Sequence, residues 1–308
     1  MRNIAVWNNN IENNIYRKCI CTMLYIINSI IVLFWAIYII KKEKYNWHGI
    51  LCTYFFTLLI VDVLEIIFNQ LLSFYKFPTF LLSDFTKDNQ LGVIFSDGII
   101  LPLTAIIFCH YATKKQYYWS LAFIFTFLWH FPLEWVYLKL GYLKYENWSI
   151  WYSMLIYLAS FRLFGPYAKR VLTYNPPLPY FIRIGSFSYG ITAWIGALLG
   201  GTLFNLYQWR PMIFKKVGAD DRFMDLGLSW TLALLLAIII PKAVHKYRPL
   251  LFMGIATLVL AFAYFSYWQS WLIYHNWNHF YTALRWFFPF IIMVWYDRWE
   301  TKQNHLLN

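Results

Sequence analysis

Residues 48–72 read HGILCTYFFTLLIVDVLEIIFNQLL. A bilayer core about 30 Å thick is crossed by roughly 20 consecutive apolar residues. Lipid offers no partners to backbone amides and carbonyls, so such a run closes its hydrogen bonds within a helix. Inside this run stand Asp62, Glu65 and Asn69. Their spacings of three and four place them on one helix face. An ionisable side chain at mid-membrane costs at least about 2.5–3.5 kcal/mol, so each needs a partner or a purpose. The stretch therefore points to a membrane fold and to a first place to look for function.

Working outward, eight further apolar runs cover about 19–40, 93–113, 117–138, 148–167, 184–207, 223–241, 248–272 and 279–297. Together they predict an all-α integral membrane protein, a polytopic bundle of nine transmembrane helices. Composition agrees. Hydrophobic residues make up 60% of the chain, against about 45–50% in a soluble domain. Charged residues make up 13%, about half the usual share. The 17 Trp and 25 Tyr suit a membrane–water interface, where an amphipathic ring has one wet end. The first run is too long for the core of a cleaved signal peptide and reads as a first membrane helix.

The net charge of +12 gathers in loops such as Lys41-Lys42-Glu43-Lys44, Lys114-Lys115 and Lys169-Arg170. The partners implied are the lipid bilayer itself and anionic lipid headgroups at these basic loops. No soluble domain is left to bind nucleic acid, and protein partners are not readable. Across nine spans, thirteen Lys and Arg fall on one side and eleven on the other. That favours a cell-membrane protein with its N-terminus outside and its C-terminus in the cytoplasm. Cys19, Cys21, Cys52 and Cys109 lie in or beside apolar runs and read as small hydrophobes. Gly-rich phosphate loops, Gly-x-Ser-x-Gly elbows, His-Glu-x-x-His and tandem Cys-x-x-Cys motifs are absent. No cofactor, metal or catalytic residue is predicted.

The chain also resembles itself. Leu143-Lys144-Tyr145-Glu146-Asn147-Trp148-Ser149-Ile150-Trp151-Tyr152-Ser153 matches Leu272-Ile273-Tyr274-His275-Asn276-Trp277-Asn278-His279-Phe280-Tyr281-Thr282 at an offset of 129 residues. Asp97 meets Asp225 at an offset of 128. The expected organisation follows: a tail and first helix (1–46), a four-helix unit (47–172), a Pro-rich linker (173–183), a second parallel four-helix unit (184–300) and a short tail (301–308). The linker contains Tyr174-Asn175-Pro176-Pro177-Leu178-Pro179, which cannot continue a helix. Parallel repeats often hold a site at their interface.

Two groups of polar residues stand out. Asp62, Glu65 and Asn69 form either a proton- or cation-binding pair of acids or structural ion pairs, with Arg162 answering Asp62 and Arg285 answering Glu65 at similar depth. The second group gathers toward the outer end: Asp97, His130, Glu134, Asn147, Trp148 and Tyr152, with Asp225, Asn276 and Trp277 in the second half. Pro132, between His130 and Glu134, is expected to disturb that helix. Gly190, Gly196, Gly200 and Gly201 suggest close helix packing.

Asp97 with Pro102, Glu134-Trp135, Lys144-Tyr145, Trp148 and Trp151-Tyr152 resemble the pattern of a family of uncharacterised small multi-pass membrane proteins of endospore-forming bacteria. The resemblance covers about Tyr75 to Arg170. Asp225 and Trp277 persist in the second half, whereas Ala263 and Tyr264 stand where Glu134 would be answered. It implies a bacterial membrane location and multi-pass topology, and no activity. Phe131-Pro132-Leu133-Glu134 also resembles the Pro-x-Glu segments of membrane carotenoid cyclases. Three readings follow: a small-molecule or ion transporter or binding protein; a non-enzymatic sensor or assembly component; an integral-membrane lipid or isoprenoid enzyme.

Overall fold

The computed structural model describes residues 24–200, 204–213 and 217–307. Cys19, Cys21 and Gly201 lie outside the described residues. Six helical stretches among them are long and apolar enough to cross a membrane. They are α1 (Leu24–Glu43), α2 (Trp47–Asn69), α3 (Phe85–Lys115), α4 (Tyr118–Leu140), Phe223–Lys242 and His245–Trp268. The protein is thus a multi-pass helical membrane protein, with six such helices rather than the expected nine.

The other three runs fall short for separate reasons. Helix α5 (Ile150–Phe164) runs on through tighter and wider turns to Thr173, but Arg162, Pro166, Lys169 and Arg170 dilute its apolar character. Helix α6 (Tyr180–Leu199) has 20 residues, but Arg183, Ser186, Ser188 and Thr192 lower the hydropathy of its sequence. The last helix, α9 (His279–Leu307), carries Arg285, Asp297, Arg298 and Glu300. The placement of the termini on opposite sides rested on an odd number of crossings, and six helices do not carry it.

The chain forms two compact units. The first takes the described residues up to Tyr45 together with Val61–Leu172. The second takes Asn46–Ile60 and the described residues from Thr173 onward. Helix α2 therefore begins in the second unit and ends in the first.

In the first unit, regular helix gives way to π-helical turns at Ile66–Leu71, Ile94–Ile100 and Ile124–His130. Two of these sit just ahead of Pro102 and Pro132. A proline has no amide hydrogen for the carbonyl four residues earlier, and the widened turn accommodates that loss. The disturbance expected at Pro132 takes this form. A two-stranded ladder closes one end: β1 (Tyr75–Lys76) pairs antiparallel with β2 (Lys144–Tyr145), Tyr75 opposite Tyr145. The loop after β1 is pinned by Asp88. Its carboxylate accepts from the amides of Thr79, Phe80, Leu81 and Leu82 at 2.7–3.0 Å. Asn89 accepts from the Phe77 amide at 2.5 Å. At the other end of these helices, Lys114 reaches Glu43 at 2.6 Å.

The second unit packs α6 with α7 (Val217–Ile239), α8 (Arg248–Trp268) and α9 around Phe55, Leu58, Phe187, Leu236, Phe252 and Phe290. It has its own ladder: β3 (Tyr207–Trp209) pairs antiparallel with β4 (Leu272–Tyr274), Tyr207 opposite Tyr274. The Asp221 carboxylate accepts from the Trp209 amide at 2.7 Å. Two buried ion pairs tie the start of α6 and of α8 to the end of α9. Arg183 bonds Glu300, with Tyr174 and Tyr296 also donating to that carboxylate. Arg248 bonds Asp297 at 3.0 Å, and Tyr180 donates to Asp297. The Asn175–Pro176 peptide bond leading into α6 is cis.

Candidate functional site

The first unit gathers Glu65, Asp97 and Glu134 in its interior, each at most 6% exposed. Helix α2 delivers Glu65 where its regular turns end. The π turn that follows carries Asn69, which donates to Glu65 Oε1. Tyr75, on β1, donates its hydroxyl to Glu65 Oε2 at 3.0 Å. The next helix brings Asp97 on its own π turn, and the Glu65 and Asp97 carboxyls lie within hydrogen-bonding range. Ser96 lies within reach of the Asp97 carboxyl, and among the described residues Asp97 Oδ2 has no hydrogen-bond partner. A hydrogen bond between two carboxyls needs one proton shared between them, or a cation in its place.

Glu134 lies after Pro132, one turn into the last straight segment of α4. Its Oε1 accepts from the Tyr145 hydroxyl on β2, and Ser153 of α5 lies within reach of the same carboxyl. Tyr145 also approaches Ser153 at 3.3 Å, and Trp148 Nε1 donates to Ser153 at 2.9 Å. Tyr157, one turn further along α5, is close enough to Glu134, Asp97 and Glu65 to feel all three charges. Its ring stacks on His130 at 4.4 Å. Tyr25 of α1 flanks Asp97 and Glu65 from another side and donates to the Tyr142 carbonyl at 2.7 Å. Burial, reinforced by the Glu65 and Glu134 carboxylates, pushes the phenols of Tyr75 and Tyr145 up. Both hydroxyls therefore stay protonated and remain donors.

The ladder is what sets this geometry. Pairing Tyr75 with Tyr145 ties together the two phenols that reach Glu65 and Glu134. The hydrogen-bond donors at the three buried carboxyls are phenols, hydroxyls and an amide. Among the described residues, no Lys or Arg forms an ion pair with these three carboxyls. Among the described residues, no group of three or more His, Cys, Asp or Glu is placed to hold a metal ion.

The other expected residues divide as follows. Glu65 and Arg285 each find hydrogen-bond partners inside their own unit. Arg285 donates to the Tyr207 hydroxyl at 3.2 Å and to the Thr192 carbonyl at 3.1 Å, and it is drawn to Asp225. Arg162 lies with its guanidinium carbon 4.9 Å from the Trp119 ring centroid. Asp62 sits near Glu65 and Asp97 and adds to their negative field. His130 and Glu134 do not act as a pair: His130 packs against Tyr157, and its Nε2 meets no protein partner. Asn147 and Asn276 are exposed loop residues. Tyr152 is a surface ring against Trp148. Trp277 Nε1 donates to Thr282 at 2.9 Å.

Gly196 and Gly200 make room for a polar pair. A Cβ at Gly196 would stand 2.8 Å from Arg285 Nη2, and one at Gly200 would stand 2.7 Å from Asp225 Oδ2. Gly190 does serve packing, with a Cβ there falling 2.0 Å from the Phe55 ring.

Tyr75, Tyr145, Tyr157 and Ser153 escaped the sequence reading. The self-similar segment contains Tyr145 and Ser153, and their recurrence as Tyr274 and Thr282 was the available signal. Comparison with family models, curated proteins and solved structures finds no match to this chain.

Proposed function

We propose that this is an internally duplicated cell-membrane protein that binds and moves a small molecule or ion, with Glu65, Asp97 and Glu134 as its proton-carrying site. The observation that carries the reading is the set of three buried carboxyls held by phenols and amides, with a carboxyl–carboxyl approach that needs a proton or a cation. A purely structural acid in lipid is expected to be neutralised by Arg or Lys. This chain uses that solution elsewhere, in Arg183–Glu300 and Arg248–Asp297.

Recurring local contacts support the duplication. Phe77 N bonds Asn89, and Trp209 N bonds Asp221, both at an offset of 132. The Phe74 carbonyl accepts from Glu146 N, and the Leu206 carbonyl accepts from His275 N. Trp148 bonds Ser153 as Trp277 bonds Thr282. The register from these bonds sets Asp97 against Ser229, one turn beyond Asp225, so the two Asp residues are related by one helical turn rather than position for position. The acids belong to one unit only, and the site is internal to it rather than at a repeat interface.

Purified protein in proteoliposomes tests the reading. An imposed proton gradient is expected to drive solute uptake or to be dissipated by wild-type protein. Glu65→Gln, Asp97→Asn and Glu134→Gln are each expected to abolish that coupling. Coupling that survives all three substitutions would rule the site out.

A further inference from the structure

The second unit carries a guanidinium of its own beside a buried carboxylate. Glu65 and Asn69 stand ten and six residues before the ladder tyrosine Tyr75. Eleven and seven residues before the matching Tyr207 stand Gly196 and Gly200. The room left by those glycines is taken by the Arg285 guanidinium beside the Asp225 carboxylate. The guanidinium donates to the ladder tyrosine and to the Thr192 carbonyl, and its carbon lies 4.3 Å from the Trp286 ring centroid. Asp225 receives a further bond from Trp209 Nε1 at 3.0 Å.

The first unit repeats the receiving groups, with Glu65 held by Asn69 and Tyr75. Tyr75 replaces Tyr207, aromatic rings flank the acids in Tyr25 and Tyr157, and two carboxyls replace one. Ile156 stands where the offset of 129 places Arg285. Asp97 is 3% exposed, Ser96 and Glu65 lie beside its carboxyl, and its Oδ2 still has no hydrogen-bond partner, leaving room there for a donor. Guanidinium matches that need. It is planar, permanently charged, weakly hydrated and rich in N–H donors suited to carboxylates and aromatic faces. We infer that the Glu65–Asp97 site of the first unit binds a guanidinium-bearing organic cation, the mobile counterpart of Arg285 in the second. The inference rests on the proposed transport or binding reading and names its ligand class.

The test uses the full chain in nanodiscs, with methylguanidinium as the probe and calorimetric titration as the readout. Wild-type protein is expected to bind one methylguanidinium. Glu65→Gln and Asp97→Asn are each expected to weaken binding by about tenfold or more, the loss of one charge-assisted contact. Tyr75→Phe is expected to weaken it less. Arg285→Ala is expected to lower the melting temperature, with methylguanidinium restoring it and adding a second bound equivalent. Absence of binding to wild-type protein, or binding indifferent to both Glu65→Gln and Asp97→Asn, overturns the inference. Failure of methylguanidinium to rescue a folded Arg285→Ala removes the argument from the second unit and overturns it as well. Proton coupling in proteoliposomes is measured in parallel. Coupling without methylguanidinium binding sinks the ligand assignment and leaves the proton site standing; binding without coupling does the reverse.

Discussion

At the scale of single residues, this protein neutralises buried acids in two different ways, and the costs of removing each differ. Arg183 and Glu300 are 3% and 1% exposed in their side chains. Truncating Glu300 to Ala leaves a buried guanidinium uncompensated, which costs about 3–5 kcal/mol. Replacing both partners with apolar residues is expected to cost much less, because no charge is left behind. A double-mutant cycle on unfolding in detergent checks this, and equal costs for the single and double variants would contradict it. The first unit's acids instead depend on phenols. Tyr145→Phe withdraws the donor from Glu134 and Tyr75→Phe withdraws one from Glu65, each expected to cost about 1–3 kcal/mol in the same measurement. Combining Tyr145→Phe with Glu134→Leu is expected to recover part of that loss, because the stranded acceptor is gone as well. The acids themselves were legible in the sequence, since Asp and Glu are rare inside apolar runs. Their partners were not. Rise per residue places Glu65 and Arg285 at matching depths but says nothing of which way each helix is turned. Nor does anything local distinguish Tyr75 or Tyr157 among 25 tyrosines.

At the scale of elements, glycine positions separate close approach from open surface. A Cβ at Gly92 would fall 2.0 Å from the Phe77 carbonyl oxygen, inside the turn that Asn89 holds in place. Backbone cannot yield there as a flexible side chain can, so Gly92→Ala is expected to loosen the ladder end of the first unit. Gly227 and Gly254 have nothing within 4 Å of such an atom. Gly227→Ala and Gly254→Ala are therefore expected to leave stability unchanged or raise it by up to about 1 kcal/mol, the helix-propensity gain. Thermal unfolding of the three variants checks the order, and a loss at Gly227 or Gly254 matching that at Gly92 would contradict it. The apolar runs announced the helices because hydropathy is additive along the chain. The π turns were less visible: Pro102 and Pro132 marked two of them, but a proline signals a lost hydrogen bond without saying how the helix absorbs it. The two-residue strands gave no alternating pattern long enough to read.

At the scale of the whole molecule, sidedness within the first unit follows from contacts rather than from loop charge. Thirteen against eleven basic residues decided little, and the correction from nine helices to six removes the parity argument. Two contacts decide more. Lys114 pairs with Glu43, joining the end of α1 to the end of α3. At the opposite ends of the membrane helices, β1 pairs with β2, joining the end of α2 to the end of α4. Helices α3 and α4 each run from one of these ends to the other, so the two contacts are expected on opposite faces of the bilayer. Single cysteines placed at Lys42 and Lys115, in a chain with its native cysteines replaced, are expected to react with a membrane-impermeant maleimide from one side of sealed vesicles. Cysteines at Lys76 and Lys144 are expected to react only from the other. Labelling of all four from one side would break the assignment of α3 and α4 as membrane crossings. The expected pattern also fixes the side from which the acid site is approached. Glu65 and Glu134 are held by tyrosines of the ladder itself, so the three acids sit nearer the Lys76 end, and under the proposed function a proton or ligand from that end would meet Tyr75 and Tyr145 first.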